Sequence, residues 1–179
     1  MAKENGRQVS LKLYFIHVRK NAGMSLIDFF FRAGVDVEAV NRPVMGGLSI
    51  GVTRNPYTRC VSGWRHCQTT RDRKLIECLA DPPQPNEPSG EGLRPGHDYR
   101  HFTKKQVDFL FDGSITPTYI LRFENLQKDL YNLCSEIDIP FVGLNHFNKN
   151  EYEYMLSHDE REAIHQLFLE DFNQLGYEK

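Results

Sequence analysis

A nearly unbroken apolar run, Leu11 to Val18 (LKLYFIHV), ends in a turn of small residues, Asn21-Ala22-Gly23, and passes straight into helical spacing. No other feature constrains the fold as much. A run of eight residues rich in β-formers reads as a strand covered on both faces, as strands of parallel sheets are. Beyond the turn, Leu26, Phe29, Phe30 and Ala33 recur on one helical face from Ser25 onward, and Gly34 ends the helix. A strand, tight turn and helix in that order belong to a sheet whose helices lie on its faces.

The rest of the chain repeats this alternation. Val35 to Val40 and Leu48 to Thr53 are predicted strands, and Asn55-Pro56 is a predicted helix start with Tyr57, Cys60, Val61 and Trp64 on one face. The stretch 81–97 holds five of the nine prolines and three glycines, so it is expected to be a long surface loop: a loose excursion or a lid facing substrate. Thr103 to Phe111 is expected to be helical, Thr118 to Phe123 a strand, and Asn125 to Glu136 a helix. Ser157 and Glu160 form a capping box for a terminal helix with Ile164, Leu167, Phe168, Phe172 and Leu175 on one face. With 179 residues the chain is sized for one domain over 1–179, with residues 1–10 as a polar leading segment.

Composition narrows the function classes. A formal net charge of −2, with Lys and Arg scattered, does not suggest a nucleic-acid binder. No apolar run approaches the roughly 18 residues that span a bilayer, and no signal segment is visible, so no membrane partner is expected and the expected place is the cytoplasm, or the Golgi lumen if the chain is cut from a longer anchored protein. Cys60, Cys67, Cys78 and Cys134 form no CxxC pair and no Cys/His zinc spacing, and are expected to be free thiols; no metal is expected. Oligomeric state is not readable from the sequence.

Chemistry concentrates at two segments that an α/β sheet would place beyond its strands' carboxyl ends, where ligands bind. In His17-Val18-Arg19-Lys20-Asn21-Ala22-Gly23-Met24-Ser25-Leu26, a small-residue turn opening a helix directs N–H groups and the helix dipole at one spot, with a lysine and a serine beside it. The order is not that of a Walker A loop. In the second segment, Arg54 leaves a strand end and Ser62 follows two helical turns later, so the two can grip one anion. Seen alone, the first is equally an ordinary strand-helix turn and the second a surface arginine.

Together the segments resemble the sulfotransferases of the carbohydrate and heparan-sulfate type, which use 3′-phosphoadenosine 5′-phosphosulfate (PAPS). FIHVRKNAGMSL lies over their first motif and VTRNPYTRCVS over their second, with weaker similarity in HFTKKQVDFL, YILRFENLQKDL, LNHFNKN and DFNQLGY, spanning residues 11 to 177. The resemblance implies a P-loop NTPase-like fold, a three-layer α/β sandwich with a mostly parallel central sheet flanked by helices. It implies PAPS as donor, adenosine 3′,5′-bisphosphate as product and a carbohydrate hydroxyl or amine as acceptor, with no metal. Arg19, Lys20, Asn21, Ala22, Gly23, Met24, Ser25 and Leu26 would hold the 5′-phosphosulfate, Lys20 would neutralise the bridging oxygen, and Arg54 and Ser62 would hold the 3′-phosphate. Lys149 matches a loop that closes over the cofactor in relatives. Glu38 stands where relatives place a general base, with His101 as the alternative and His66 and His97 as further candidates; Glu124 is read as structural. Arg19 replaces a usual proline and Met24 a usual threonine, which implies weaker cofactor binding. A silent module that binds adenosine bisphosphate or a sulfated glycan, and a nucleotide kinase-like phosphotransferase, are the alternatives.

Overall fold

The computed structural model describes residues 12–145 and 154–179, and the backbone of a short antiparallel pair, β1 (Lys3–Glu4) and β2 (Arg7–Gln8). The chain then runs through β3 (Leu13–Ile16), α1 (Gly23–Arg32), β4 (Val37–Val40), β5 (Leu48–Thr53), α2 (Pro56–His66) and α3 (Leu75–Ala80). A π-helical turn at Tyr99–Thr103, α4 (Val107–Leu110), β6 (Tyr119–Arg122), a 3₁₀ turn at Phe123–Asn125, α5 (Leu126–Glu136), α6 (His158–Leu167) and α7 (Leu169–Leu175) complete it.

The four longer strands form one all-parallel sheet in the order β4-β3-β5-β6. Alternation along the strands sends side chains to both faces. On one, Leu13, Phe15, Ile50, Val52 and Leu121 meet Leu26, Phe29 and Phe30 of α1 and Leu126, Leu130 and Leu133 of α5. On the other, Ile16 meets Val107, Phe109 and Leu110 from α4 and Leu175 from α7. Both faces are therefore covered, which explains why β3 reads as a continuous apolar run; each such side chain contributes about 1.5–3 kcal/mol through burial. A third cluster, including Tyr57, Cys60, Leu75, Phe102, Ile164 and Phe168, joins α2, α3, the π-helical turn and α6.

The sheet order creates the site. The chain leaves β3 towards β4 on one side, while β5 lies on β3's other side and leads to β6. Connections thus diverge at the carboxyl ends of β3 and β5, the crevice position at which open α/β sheets bind ligands.

Two elements differ from expectation. The helix expected over Thr103 to Phe111 divides into the π-helical turn and α4, leaving Gln106 between them. The terminal helix keeps its capping box but breaks at Phe168. The break leaves Ile164, Phe168 and Phe172 in the third cluster and lets Leu175 reach the sheet-facing one. All four cysteines are free and buried, and among the described residues no helix is long and apolar enough to cross a membrane.

Candidate anion site at the sheet switch point

The β3–α1 connection is held in an unusual backbone shape. Lys20 and Ala22 both take positive φ, 70° and 61°, in the left-handed region that alternates with right-handed residues to form anion-binding concavities. Ala22 is the N-cap of α1 and has no side chain with which to cap it. By contrast, Asn55 caps α2 by accepting from the Tyr57 N–H at 2.9 Å, and Ser157 with Glu160 closes the box on α6. The first N–H groups of α1 therefore have no side-chain cap and face the crevice end of the sheet. Gly23 has no room for a side chain, because a Cβ there would collide with the His17 ring.

Arg54, at the end of β5, joins the two segments. Its Nη1 donates to the Lys20 carbonyl at 2.9 Å, its Nε donates to Thr58 Oγ1 at 3.1 Å, and its guanidinium lies 4.2 Å over the Phe123 ring. Burial pushes Arg54 down to about 10, with Glu124 opposing and Arg59 adding to the effect. Burial also lowers the Lys20 ammonium; Cys67 opposes this, and Arg54 and Arg59 reinforce it. Like charges that depress one another are stabilised by an anion between them. Arg19 completes the group: its Nη1 donates to His17 Nδ1 at 2.7 Å, while its buried Nε has no partner. Burial and Arg19 hold His17 down to about 4, so the ring is neutral at pH 7 and free to accept that bond.

Sequence reasoning missed the residues that hold this group in place. Arg59 is 1% exposed, and donates from Nε to the Arg19 carbonyl at 3.2 Å and from Nη2 to the Lys104 carbonyl at 2.8 Å. Gln106 clamps Arg54, accepting from its N–H at 2.8 Å and donating to its carbonyl at 2.8 Å. The same Gln106 Oε1 accepts from Asn21 Nδ2 at 2.7 Å, which ties the two loops together. Asp171 on α7 accepts from the Gln106 and Val107 N–H groups, both at 3.0 Å. Glu124, read as a structural residue that pairs with a basic group or caps the next helix, does neither by hydrogen bond among the described residues: it accepts from the Asn55 N–H at 2.6 Å and from the Tyr177 hydroxyl at 3.2 Å.

The sequence candidates distribute unevenly over this site. Arg19, Lys20, Asn21, Ala22, Gly23, Ser25 and Arg54 gather at the crevice, and Ser62 is buried on α2. The Asn21 side chain is spent on Val52 O and Gln106, leaving Oδ1 without a partner. Leu26 is a correction: its side chain is fully buried in the core and its N–H bonds the Ala22 carbonyl, so nothing of it is left for a ligand. Met24 is 57% exposed and offers no hydroxyl in the first turn. Glu38 is not brought to the site. On the edge strand β4 it pairs in register with Tyr14 of β3, and its carboxylate binds Lys12 at 2.8 Å, just before the amino end of β3, whereas Lys20 follows the carboxyl end. Lys149 lies outside the described residues.

His101 does approach the cradle closely enough for Arg19 to depress it. Burial dominates, and the ring falls to about 3. His66 is likewise lowered, first by burial and then by Lys20. His66, His97 and His101 come together, with ring centroids 4.1 Å apart for His97 and His101 and 4.8 Å for His66 and His101. An open groove of about 590 Å³ at the carboxyl end of β4, lined in part by Val40, Arg42, Lys104 and Asp108, lies beside the cradle rather than over it; Lys104 links the two through its carbonyl. A scan against protein-family models, a search of curated proteins and a search of solved structures each found no match.

Proposed function

We propose that the chain transfers a sulfuryl group from PAPS to a hydroxyl or amine of a carbohydrate acceptor on a P-loop NTPase-like scaffold. The observation that carries this reading is the Arg54–Lys20 link: the two segments read as candidate anion sites, far apart in sequence, are fastened together where the strand connections diverge. PAPS carries two separated anionic groups on one nucleoside. In this reading the uncapped start of α1 with Lys20 and Arg19 would take one, and Arg54, just before α2, would take the other with Ser62 two turns further along that helix. The unpartnered Arg19 Nε adds a buried donor in want of an acceptor.

In the reaction, the acceptor oxygen or nitrogen attacks sulfur in line as the bond from sulfur to the bridging phosphate oxygen breaks. Adenosine 3′,5′-bisphosphate leaves with the electron pair, and the acceptor's proton passes to a base. Lys20 meets the charge that gathers on the bridging oxygen, and the uncapped N–H groups of α1 hold the equatorial oxygens. His101 is poorly suited to be the base at neutral pH, because its burial leaves it with little affinity for a proton.

The exposed Met24 and the weak basicity of His101 favour one second reading, a module that binds adenosine bisphosphate without turnover. Incubation with ³⁵S-labelled PAPS and a panel of glycosaminoglycan and oligosaccharide acceptors tests both. Label on an acceptor is the expected result. Tight binding of the nucleotide with no transfer to any acceptor would favour the silent module, and failure of both would end the nucleotide reading.

A further inference from the structure

Three histidines to which the transfer step assigns no role, His66, His97 and His101, stand close together. His97 and His101 stand four residues apart on the helical stretch that includes Tyr99–Thr103, the spacing that puts two imidazoles on one helix face in helical zinc sites. His66, the last residue of α2, supplies a third ring. One nitrogen from each lies within 4.8 Å of the other two. A tetrahedral zinc ion with N–Zn bonds of about 2.0–2.1 Å needs its ligand nitrogens about 3.4 Å apart. His66 is exposed, so its side chain has room to rotate towards the other two.

The surroundings orient two of the rings. His97 Nδ1–H donates to Asp98 Oδ1 at 2.8 Å, and His101 Nδ1–H donates to the His97 carbonyl at 2.8 Å. Each bond fixes the proton on Nδ1 and leaves the Nε2 lone pair outward, as second-shell partners do for metal-bound histidine. Asp98 is itself buried and held through its other oxygen by the Thr69 N–H at 3.0 Å and hydroxyl at 2.7 Å, while the Ser89 hydroxyl accepts from its N–H. Close packing brings the third ring in: a Cβ at Gly63 would strike the His101 carbonyl, so only glycine lets α2 lie this near the turn.

We infer that His66, His97 and His101 form a binding site for a divalent first-row transition ion of the zinc class, with three imidazole ligands and one open position. A π-helical segment is itself a common mark of a functional site. The ion would fasten the end of the 81–97 loop to α2. Asp98 contributes negative charge behind the ligands, which offsets the nearby Lys20 and Arg19. The proposed sulfuryl transfer does not call on this ion, so the inference does not depend on the nucleotide reading, although the site borders the cradle through Lys20 and Arg19.

Cobalt(II) titration of the metal-free protein, followed by displacement with zinc against a chromogenic chelator, tests the inference. One equivalent should bind with the intense visible absorption of a four-coordinate centre. His66→Ala, His97→Ala and His101→Ala should each weaken binding at least tenfold, and Asp98→Asn should weaken it about 10–100-fold. His158→Ala, at the start of α6, should bind as the parent does. Because His66 is exposed, its variant should keep the parent's circular dichroism and melting profile, which makes its result decisive. No saturable site, a faint six-coordinate cobalt spectrum, or a one-to-one site that survives His66→Ala would overturn the assignment.

Discussion

Lys20→Ala should slow sulfate transfer by about two to three decades at saturating PAPS, the usual effect of removing one preorganised donor aimed at developing charge. Its affinity for adenosine 3′,5′-bisphosphate should fall much less. On the proposed reaction, charge on the bridging oxygen would build mainly as the bond breaks, so Lys20 would contribute more to the transition state than to the bound ground state. The backbone bend at Lys20 should survive, since alanine occupies the same region of φ at Ala22. Arg54→Ala should show the reverse balance and lose cofactor affinity first. Some turnover should go with it, because Arg54 also donates to the Lys20 carbonyl and helps to place that residue. A Lys20→Ala protein that turns over at the parent rate and only raises the Michaelis constant would make Lys20 a binding residue.

Asp171→Ala should destabilise the fold by about 3–5 kcal/mol, a large share of the 5–15 kcal/mol by which a domain of this kind is stable. Asp171 is fully buried. Its removal strands the Gln106 and Val107 N–H groups and weakens the hold on Gln106 Nε2, 3.3 Å away. It also takes away the carboxylate that most supports the buried Arg59 charge. Burial lifts Asp171 and lowers Arg59, and each charge opposes the other's shift, joined at Asp171 by its hydrogen bonds from Gln106 and Val107. Urea unfolding measures the effect. Asp171→Asn, which keeps an acceptor oxygen, should fall between the parent and alanine. A loss under about 1 kcal/mol would show that the Gln106 clamp does not depend on α7.

Much of the scaffold was legible because its signals are local. The β3 run, the Asn21–Gly23 turn, the Asn55-Pro56 helix start and the Ser157/Glu160 box each depend on neighbours within a few residues, and each appears in the structure. Lys20 and Arg54 could be placed at one sheet edge for the same reason. What holds them was not legible. Gln106 reaches Asn21 across 85 residues and Arg54 across 52, and a glutamine near a helix start looks like any solvated polar residue. Arg59 stands between Thr58 and Cys60 on an amphipathic helix, and nothing in the sequence marks it as almost wholly buried. Glu38 misled because its place on the edge strand, not its place in sequence, decides what it meets: the parallel register sets it beside Tyr14 and within reach of Lys12. The four-residue spacing of His97 and His101 was visible, but the first of the pair closes a stretch of prolines and glycines, and a helix face could not be read there.

The most direct measurement of the central claim is calorimetric titration of the protein with adenosine 3′,5′-bisphosphate and, in parallel, with AMP. The two nucleotides differ only in the 3′-phosphate, which the start of α2 should receive through Arg54. A charge-assisted arginine contact contributes roughly 1.5–3 kcal/mol, or about one to two decades in affinity. The bisphosphate should therefore bind about 10- to 100-fold more tightly than AMP, and Arg54→Ala should erase most of that preference. Equal affinity for the two nucleotides in the parent protein would contradict the account.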